Sequence, residues 1–119
     1  MKIISFEGIE GAGKSTQITL LKEFLESKNL TIETYREPGS TKAGEKIRNI
    51  LLDNNNELTN KSELLLMFAS RAELVSKVIK NSQSDYLLLD RFYDASLAYQ
   101  GYGRKISISL IDSLISFID

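Results

Sequence analysis

The stretch Lys2-Ile3-Ile4-Ser5-Phe6-Glu7-Gly8-Ile9-Glu10-Gly11-Ala12-Gly13-Lys14-Ser15-Thr16 decides the fold of this chain. Residues 2–6 are largely apolar and predict a buried strand, and an amphipathic helical period begins at Lys14. Between them, residues 8–15 match the pattern G-x-x-x-x-G-K-[ST] in full. In such a loop the glycines permit close wrapping, backbone N–H groups point at an anion, and the next helix presents its positive end. Strand, glycine-rich loop and helix in this order predict a phosphate-binding loop rather than an ordinary turn.

The predicted loop supplies groups for both a nucleotide and a metal ion. We expect Lys14 to bridge the β- and γ-phosphates and the Ser15 hydroxyl to hold Mg2+. Asp90 ends a continuous apolar run that is typical of a strand buried on both faces, and ligands bind at the carboxyl ends of such strands. Alone, this pattern also fits a strand terminus or a helix N-cap. With the phosphate loop present, we interpret Asp90 as a second Mg2+ ligand. The predicted phosphate-binding residues are Gly8, Ile9, Glu10, Gly11, Ala12, Gly13, Lys14, Ser15 and Thr16.

Strands alternate with helices along the chain, which predicts an α/β fold around a parallel sheet. Asn60 and Glu63 form a capping-box pattern at the start of a long helix that we expect to reach about Ile79. The three visible strands are fewer than such sheets usually contain, so we expect the front part of a domain, truncated after its third strand. The other predicted elements are strands at 30–36 and 86–90, a helix at about 42–52, a loop at 53–56, a helix near 92–100, a break at 101–103 and a final amphipathic helix from about 110.

The composition excludes several kinds of site. The chain has 119 residues with no His and no Cys, so it cannot form a Ser-His-Asp triad, a cysteine or histidine zinc site, or a disulfide. Fifteen basic against sixteen acidic side chains give a net charge of -1, which provides no broad attraction to nucleic acid or to an anionic membrane. The apolar runs are too short for a signal peptide or a membrane span. We therefore expect a cytoplasmic protein with neither nucleic acid nor membrane as a partner.

A phosphate-binding loop by itself is compatible with kinases, GTPases and ATPase motors. GTPases usually read guanine through Asn-Lys-x-Asp, but here Asn60-Lys61 is followed by Ser62-Glu63, and residues 53–56 offer no substitute. The chain is also too short for a motor module. These observations favour a kinase over the other two classes.

Three ordered motifs accompany this pattern. Residues 6–16 come first, and Arg36-Glu37-Pro38-Gly39-Ser40-Thr41 follows. The third motif is Asp90-Arg91-Phe92, with Ala98-Tyr99-Gln100-Gly101 shortly after it. In this order and spacing the motifs resemble the bacterial thymidylate kinase family, with Ser40 in place of the second glycine of an Arg-Glu-Pro-Gly-Gly-Thr segment. The resemblance implies a P-loop NTPase-like three-layer α/β fold, and phosphoryl transfer from ATP to dTMP with Mg2+ as cofactor.

The resemblance also assigns roles to individual residues. It implies that Lys14, Arg91 and Glu10 are catalytic, with Glu10 near the deoxyribose 3'-hydroxyl or the metal. Arg71 would donate to a thymine carbonyl. The remaining implied dTMP contacts are Arg36, Arg48 and Arg91 around the phosphate, Ser96 and Gln100 at the base edge, and Tyr99 beside the sugar. For Arg36 and Arg48, a solvated surface charge or a weak ion pair is a serious alternative.

One position departs from the family pattern next to the expected base site. The family generally carries an aromatic residue one helical turn before the equivalent of Arg71, and here that residue is Met67. Either Met67 or its neighbour Phe68 is expected to cover the base, since a methionine sulfur packs well on an aromatic face. Core packing is the favoured alternative for Phe68.

The loop residue Ala12 marks a second family feature. Members of the bacterial type lack an arginine in this loop and supply one from a mobile lid, which, like the adenine-binding segment, follows the last predicted helix. We therefore expect residues 1–119 to form a single incomplete kinase domain with impaired turnover, because such an arginine contributes roughly 10^3 to 10^5 in rate. The family also implies a homodimer. Another P-loop small-molecule kinase and a non-catalytic phosphate- or nucleotide-binding module are the alternatives.

Overall fold

The structure is a computed structural model that describes residues 1–7, 13–91 and 108–118. Its strands are β1 (Lys2–Glu7), β2 (Ile32–Glu37) and β3 (Tyr86–Arg91). Its helices are α1 (Lys14–Ser27), α2 (Lys42–Leu52), α3 (Asn60–Lys77) and α4 (Ile108–Ile118), with 3-10 turns at Asn54–Asn56 and Ile79–Asn81. The helix predicted near 92–100 and the break at 101–103 lie outside the described residues.

The three strands form a parallel sheet in the order β1-β3-β2. Tyr86 at the start of β3 pairs with Lys2 on one side and Ile32 on the other. The central position of β3 explains its unbroken apolar run, since Leu87, Leu88 and Leu89 are all fully buried. The predicted α/β fold with a parallel sheet is confirmed.

Helices cover both faces of the sheet, which gives three layers. Leu88 packs with Ile18 and Leu25 of α1. Leu89, which points to the opposite face because strand side chains alternate, lines a cavity together with residues of α3 and α4. A second cluster, Leu64, Met67 and Phe68 of α3, packs against Leu51, Leu114 and Ile118. In the part of the chain that the structure describes, no helix has the length and apolarity needed to span a bilayer.

The start of α3 differs from the prediction. Thr59, not Asn60, is the N-cap, and its hydroxyl accepts from the backbone N–H of Ser62 at 3.2 Å. Asn60 is already the first helical residue. The capping box predicted from Asn60 and Glu63 is therefore wrong, because the residue three positions after the true cap is a serine.

Other boundaries move by one or two residues. The strand β2 begins at Ile32 rather than Leu30, because the N–H of Leu30 donates to the Leu25 carbonyl and closes the end of α1. The helix α3 ends at Lys77, and the predicted last turn to Ile79 is replaced by the start of a 3-10 turn.

Candidate active site

The lysine of the glycine-rich loop and the acid at the end of β3 are in direct contact. Lys14 begins α1, and its Nζ lies 2.6 Å from Oδ1 of Asp90. The lysine side chain is 8% exposed and the aspartate 32%. Gly13 precedes the helix with φ 77°, a left-handed conformation that glycine adopts without steric cost. The predicted loop residues Gly8, Ile9, Glu10, Gly11 and Ala12 lie outside the described part of the chain.

An open cleft of about 500 Å³ runs beside this ion pair. Ser15 of α1 and Asp90 of β3 both line it, as do Arg36, Ser40 and Glu45. A hydroxyl and a carboxylate facing one cleft suit Mg2+, which usually takes one or two protein oxygens and completes its shell with water and phosphate. Residues 1–7, 13–91 and 108–118 contain no group of three or more acidic, His or Cys side chains that could hold a metal. The donor set therefore fits a metal that a nucleotide helps to bind.

A buried carboxylate joins two of the predicted dTMP-binding arginines. Glu37 ends β2 and is only 5% exposed. Its Oε1 accepts from Nε of Arg71 at 3.0 Å, and its Oε2 accepts from Nε of Arg91 at 2.5 Å. A buried carboxylate is tolerable only when it is paired and hydrogen-bonded, and here both oxygens are. The structure thus brings Arg71 of α3 and Arg91 of β3 together on one acid.

The turn after β2 is held by Arg48 and by Ser70. Arg48, which is 8% exposed, donates through Nη1 to the Pro38 carbonyl at 2.9 Å. The Gly39 N–H donates to the hydroxyl of buried Ser70 at 2.9 Å. Arg48 is therefore not a solvated surface charge, and its guanidinium is hydrogen-bonded to the residue that follows Glu37.

Arg36 is held differently from the other three. Its side chain is 51% exposed and donates through Nε, at 3.3 Å, and through Nη2 to the Glu45 carboxylate. Glu45 also accepts from the Ser40 N–H at 2.7 Å. These hydrogen bonds, that of Arg36 first, hold the pKa of Glu45 below its usual value. The ion pair that the sequence analysis gave as an alternative role for Arg36 is therefore present, with Glu45 as its partner, in the lining of the cleft.

Ser40 occupies a backbone conformation that favours glycine. Its φ is 68°, and its hydroxyl accepts from the Arg36 N–H at 2.6 Å and donates to the Arg36 carbonyl at 2.9 Å. The neighbouring Gly39 has φ 131°, a region closed to other residues without strain. The serine that departs from the family pattern thus offsets its own backbone strain with two hydrogen bonds.

Both residues predicted to cover the base lie in the core. Met67 and Phe68 are buried and pack in the cluster of α3, which agrees with the core-packing alternative for Phe68. The Phe68 ring also lies 5.5 Å from the Arg71 guanidinium carbon, within the range of a cation–π contact. Three further predicted residues, Ser96, Tyr99 and Gln100, lie outside the described residues.

Sequence reasoning missed three residues that organise this site: Glu37, Glu45 and Ser70. For Glu37 a signal existed, because it ends a strand whose carboxyl edge is shared with Asp90. Nothing local distinguishes Glu45, whose partners lie 5 and 9 residues before it, or Ser70, whose partner lies 31 residues before it.

Comparisons with known proteins agree on one family. The family model described as Thymidylate kinase matches residues 6–118. A protein named Thymidylate kinase from Prosthecochloris aestuarii is 56% identical over 113 residues, which are 93% of this chain and 51% of that protein. One of the same name from Thermosipho africanus is 52% identical over 116 residues, covering 96% of this chain and 58% of that protein.

A solved structure supports the same relationship. The crystal structure of thymidylate kinase from Ehrlichia chaffeensis superposes with a TM-score of 0.83 at 44% identity, covering 100% of this chain and 68% of that one. The chain spans about half the length of the curated relatives it matches. With a family model that matches nearly all of its length, the chain belongs to the thymidylate kinase family.

Proposed function

We propose that this chain carries the phosphate-binding and acceptor-binding parts of a nucleoside monophosphate kinase that converts dTMP and MgATP into dTDP and ADP. The observation that carries the proposal is the arrangement at the end of β3. Asp90 contacts the loop lysine, and the next residue, Arg91, joins the arginine cluster through Glu37. Because successive strand residues point to opposite faces, one strand end serves a donor site and an acceptor site.

The proposed reaction is a direct in-line transfer that needs no protein nucleophile. An oxygen of the dTMP phosphate forms a bond to the γ-phosphorus of ATP, while the bond from that phosphorus to the β–γ bridging oxygen breaks and ADP leaves. Lys14, Arg36, Arg48 and Arg91 would offset the phosphate charges and align the two reactants. Mg2+, held by Ser15 and Asp90, would neutralise further phosphate charge when bound.

Recognition of dTMP would use the cluster around Glu37 and residues beyond it. Arg71 is proposed to donate to thymine, and Met67 or Phe68 to border the base. The family resemblance adds Glu10, Ser96, Tyr99 and Gln100 to this part of the proposal. It also includes Thr16 and the glycines of the phosphate loop as ATP contacts.

Several properties of the whole protein belong to the proposal as well. We propose a homodimer in the cytoplasm, with residues 1–119 belonging to a single kinase domain. We also propose that turnover by the 119-residue chain is impaired even where dTMP binding persists.

Product analysis tests the reaction. The purified chain is incubated with MgATP and, separately, dTMP, dUMP, dCMP, dAMP or shikimate, and nucleotide products are resolved by chromatography. Slow formation of dTDP, abolished by Lys14→Ala, is the expected result. Preferential phosphorylation of another acceptor would favour a different P-loop small-molecule kinase, and dTMP binding with no product would favour a binding module.

A further inference from the structure

We propose that Glu37 is a positioning residue that fixes Arg71 and Arg91 relative to each other, so that recognition of the base and alignment of the acceptor phosphate depend on one carboxylate. The inference rests on the proposed function for the identity of the ligand, dTMP. The juxtaposition on which it depends is present without that ligand, because one buried acid accepts from both arginines.

The contacts constrain the orientation of both guanidinium groups. Each arginine reaches Glu37 through Nε, the nitrogen closest to the side-chain stem. A guanidinium is planar, so a hydrogen bond at Nε sets the rotation of the whole group and the direction of its two Nη atoms. The two carboxylate oxygens are divided between the arginines. Because the distance between the two oxygens of Glu37 is fixed, the two guanidinium groups are held in a fixed position relative to each other.

The backbone on each side of the cluster is also held. Glu37 and Arg91 are paired residues in the β2–β3 register. Ser70, which precedes Arg71, accepts from the N–H of Gly39, two residues after Glu37. The acid and both arginines thus lie on two strands and one helix that are joined by hydrogen bonds. Sites built on such rigid elements hold their geometry better than sites on loops.

The charges of the cluster suit a phosphate ligand. The side chains of Glu37, Arg71 and Arg91 together carry a formal charge of +1, and an anionic ligand suits that sign. Glu37 also offsets the repulsion between the two like charges of Arg71 and Arg91. Removing it would leave two partly buried cations without their shared partner, and their side chains would move apart.

Glu33 provides a matched control on the same strand. Glu33 and Glu37 lie on the same face of β2, because they are an even number of residues apart and strand side chains alternate between the two faces. The Glu33 carboxylate accepts from the hydroxyls of Tyr35, Ser82 and Ser84. Glu33→Gln therefore removes a hydrogen-bonded carboxylate from β2 without touching the arginine cluster.

The experiment is calorimetric titration of the 119-residue chain with dTMP and with thymidine, at a temperature where circular dichroism shows each variant to be folded. Variants are Glu37→Gln, Glu37→Asp, Glu33→Gln, Arg71→Ala and the double variant Glu37→Gln with Arg71→Ala. Glu37→Asp keeps the charge, so it guards against a Glu37→Gln chain that does not fold, but its carboxylate is set back by one carbon–carbon bond.

We expect Glu37→Gln to weaken dTMP binding by roughly 10- to 100-fold, by analogy with the loss that follows when a group orienting a metal-ligating side chain is removed. Glu37→Asp should weaken it by at least about 5-fold, and Glu33→Gln should not change it. Thymidine binding should weaken as well, since Arg71 is affected. In the Arg71→Ala background, Glu37→Gln should reduce dTMP affinity by a smaller factor, because Glu37 can no longer act through Arg71.

Two results would overturn the inference: one leaves the proposed function intact, and the other contradicts the proposed function as well. If the unmodified chain binds dTMP and folded Glu37→Gln and Glu37→Asp bind it equally well, Glu37 is structural and the proposed function stands. If the folded, unmodified chain does not bind dTMP, the acceptor site itself is wrong and the inference falls with it. A loss of thermal stability without a change in affinity counts as the first result.

Discussion

At the scale of single residues, the site depends on polar side chains that hydrogen-bond to the backbone at the end of β2 and in the turn after it. Ser40 shows how a departure from a family pattern is accommodated. Its left-handed backbone costs free energy for any residue with a Cβ, and its hydroxyl recovers some of that cost through two bonds to Arg36.

The balance at Ser40 is measurable. Ser40→Ala keeps the strain and loses both hydrogen bonds, so we expect the free energy of unfolding to fall by about 1–2 kcal/mol. Ser40→Gly loses the bonds but relieves the strain, so it should cost about 1 kcal/mol less than the alanine variant. Urea denaturation of the three chains measures both differences. An alanine variant as stable as the glycine variant would contradict the left-handed conformation.

The ion pair between Lys14 and Asp90 predicts unequal effects for its two partners. Asp90→Ala leaves a nearly buried ammonium without this carboxylate, whereas Lys14→Met leaves a carboxylate that water still reaches. We expect Asp90→Ala to lower the free energy of unfolding by about 1–3 kcal/mol and Lys14→Met to lower it less. Urea denaturation at low salt compares them. The opposite order would mean that the pair does not form as described.

At the scale of secondary-structure elements, β2 is linked to the segment that leads into β3 by side chains as well as by the sheet. Glu33 accepts from three hydroxyls, of which Ser84 has the largest effect, and these bonds lower the pKa of its carboxyl. Burial, together with the bond to Glu33, raises the pKa of Tyr35 to about 12. Two residues before Glu33, Thr31 donates through its backbone N–H and its hydroxyl to the Asp85 carboxylate, at 2.8 and 3.0 Å.

These links predict a loss of stability in acid. The pKa of Glu33 is lower in the folded chain than its usual value of 4.5. The stabilisation that the Glu33 carboxylate contributes to the folded chain is therefore complete above pH 4.5, and it is lost as the pH falls through the folded pKa. The difference in unfolding free energy between the unmodified chain and Glu33→Gln should shrink between pH 7 and pH 3. Thermal unfolding at several pH values measures it, and a difference that grows on acidification would contradict the assignment.

The elements themselves were largely predictable because hydrophobic periodicity is local information. The buried run before Asp90, the helix after Lys14 and the parallel α/β arrangement all follow from it. The first residue of α3 was not predictable, since both Thr59 and Asn60 are favourable N-cap residues. The choice between them depends on the backbone conformation of the residues before the helix.

At the scale of the whole molecule, the arginine cluster was only partly predictable. The sequence, with the family motifs, identified Arg36, Arg48, Arg71 and Arg91 as candidates. It could not place Arg71 and Arg91 on Glu37, because that contact requires the β2–β3 register and the packing of α3 across 34 and 54 residues of chain. Long-range pairing of this kind leaves no periodic signal in the sequence.

The same scale explains how one small sheet could serve two ligands. The central strand β3 ends in Asp90 and Arg91, and Lys14 contacts the first of these residues while Glu37 contacts the second. Ligands of open α/β sheets bind at the carboxyl ends of strands, so both halves of the proposed site lie where this fold places ligands.

The most direct measurement is calorimetric titration of the folded 119-residue chain with dTMP and dUMP, repeated with Arg71→Ala and with Lys77→Ala. Lys77 is an exposed lysine of the same helix that pairs with Glu73, so its loss controls for the removal of a positive charge from α3. We predict selective dTMP binding that Arg71→Ala weakens by about 10-fold or more and Lys77→Ala leaves unchanged. Absence of dTMP binding, or equal effects of the two variants, would contradict an acceptor site built on Arg71 and its partner Glu37.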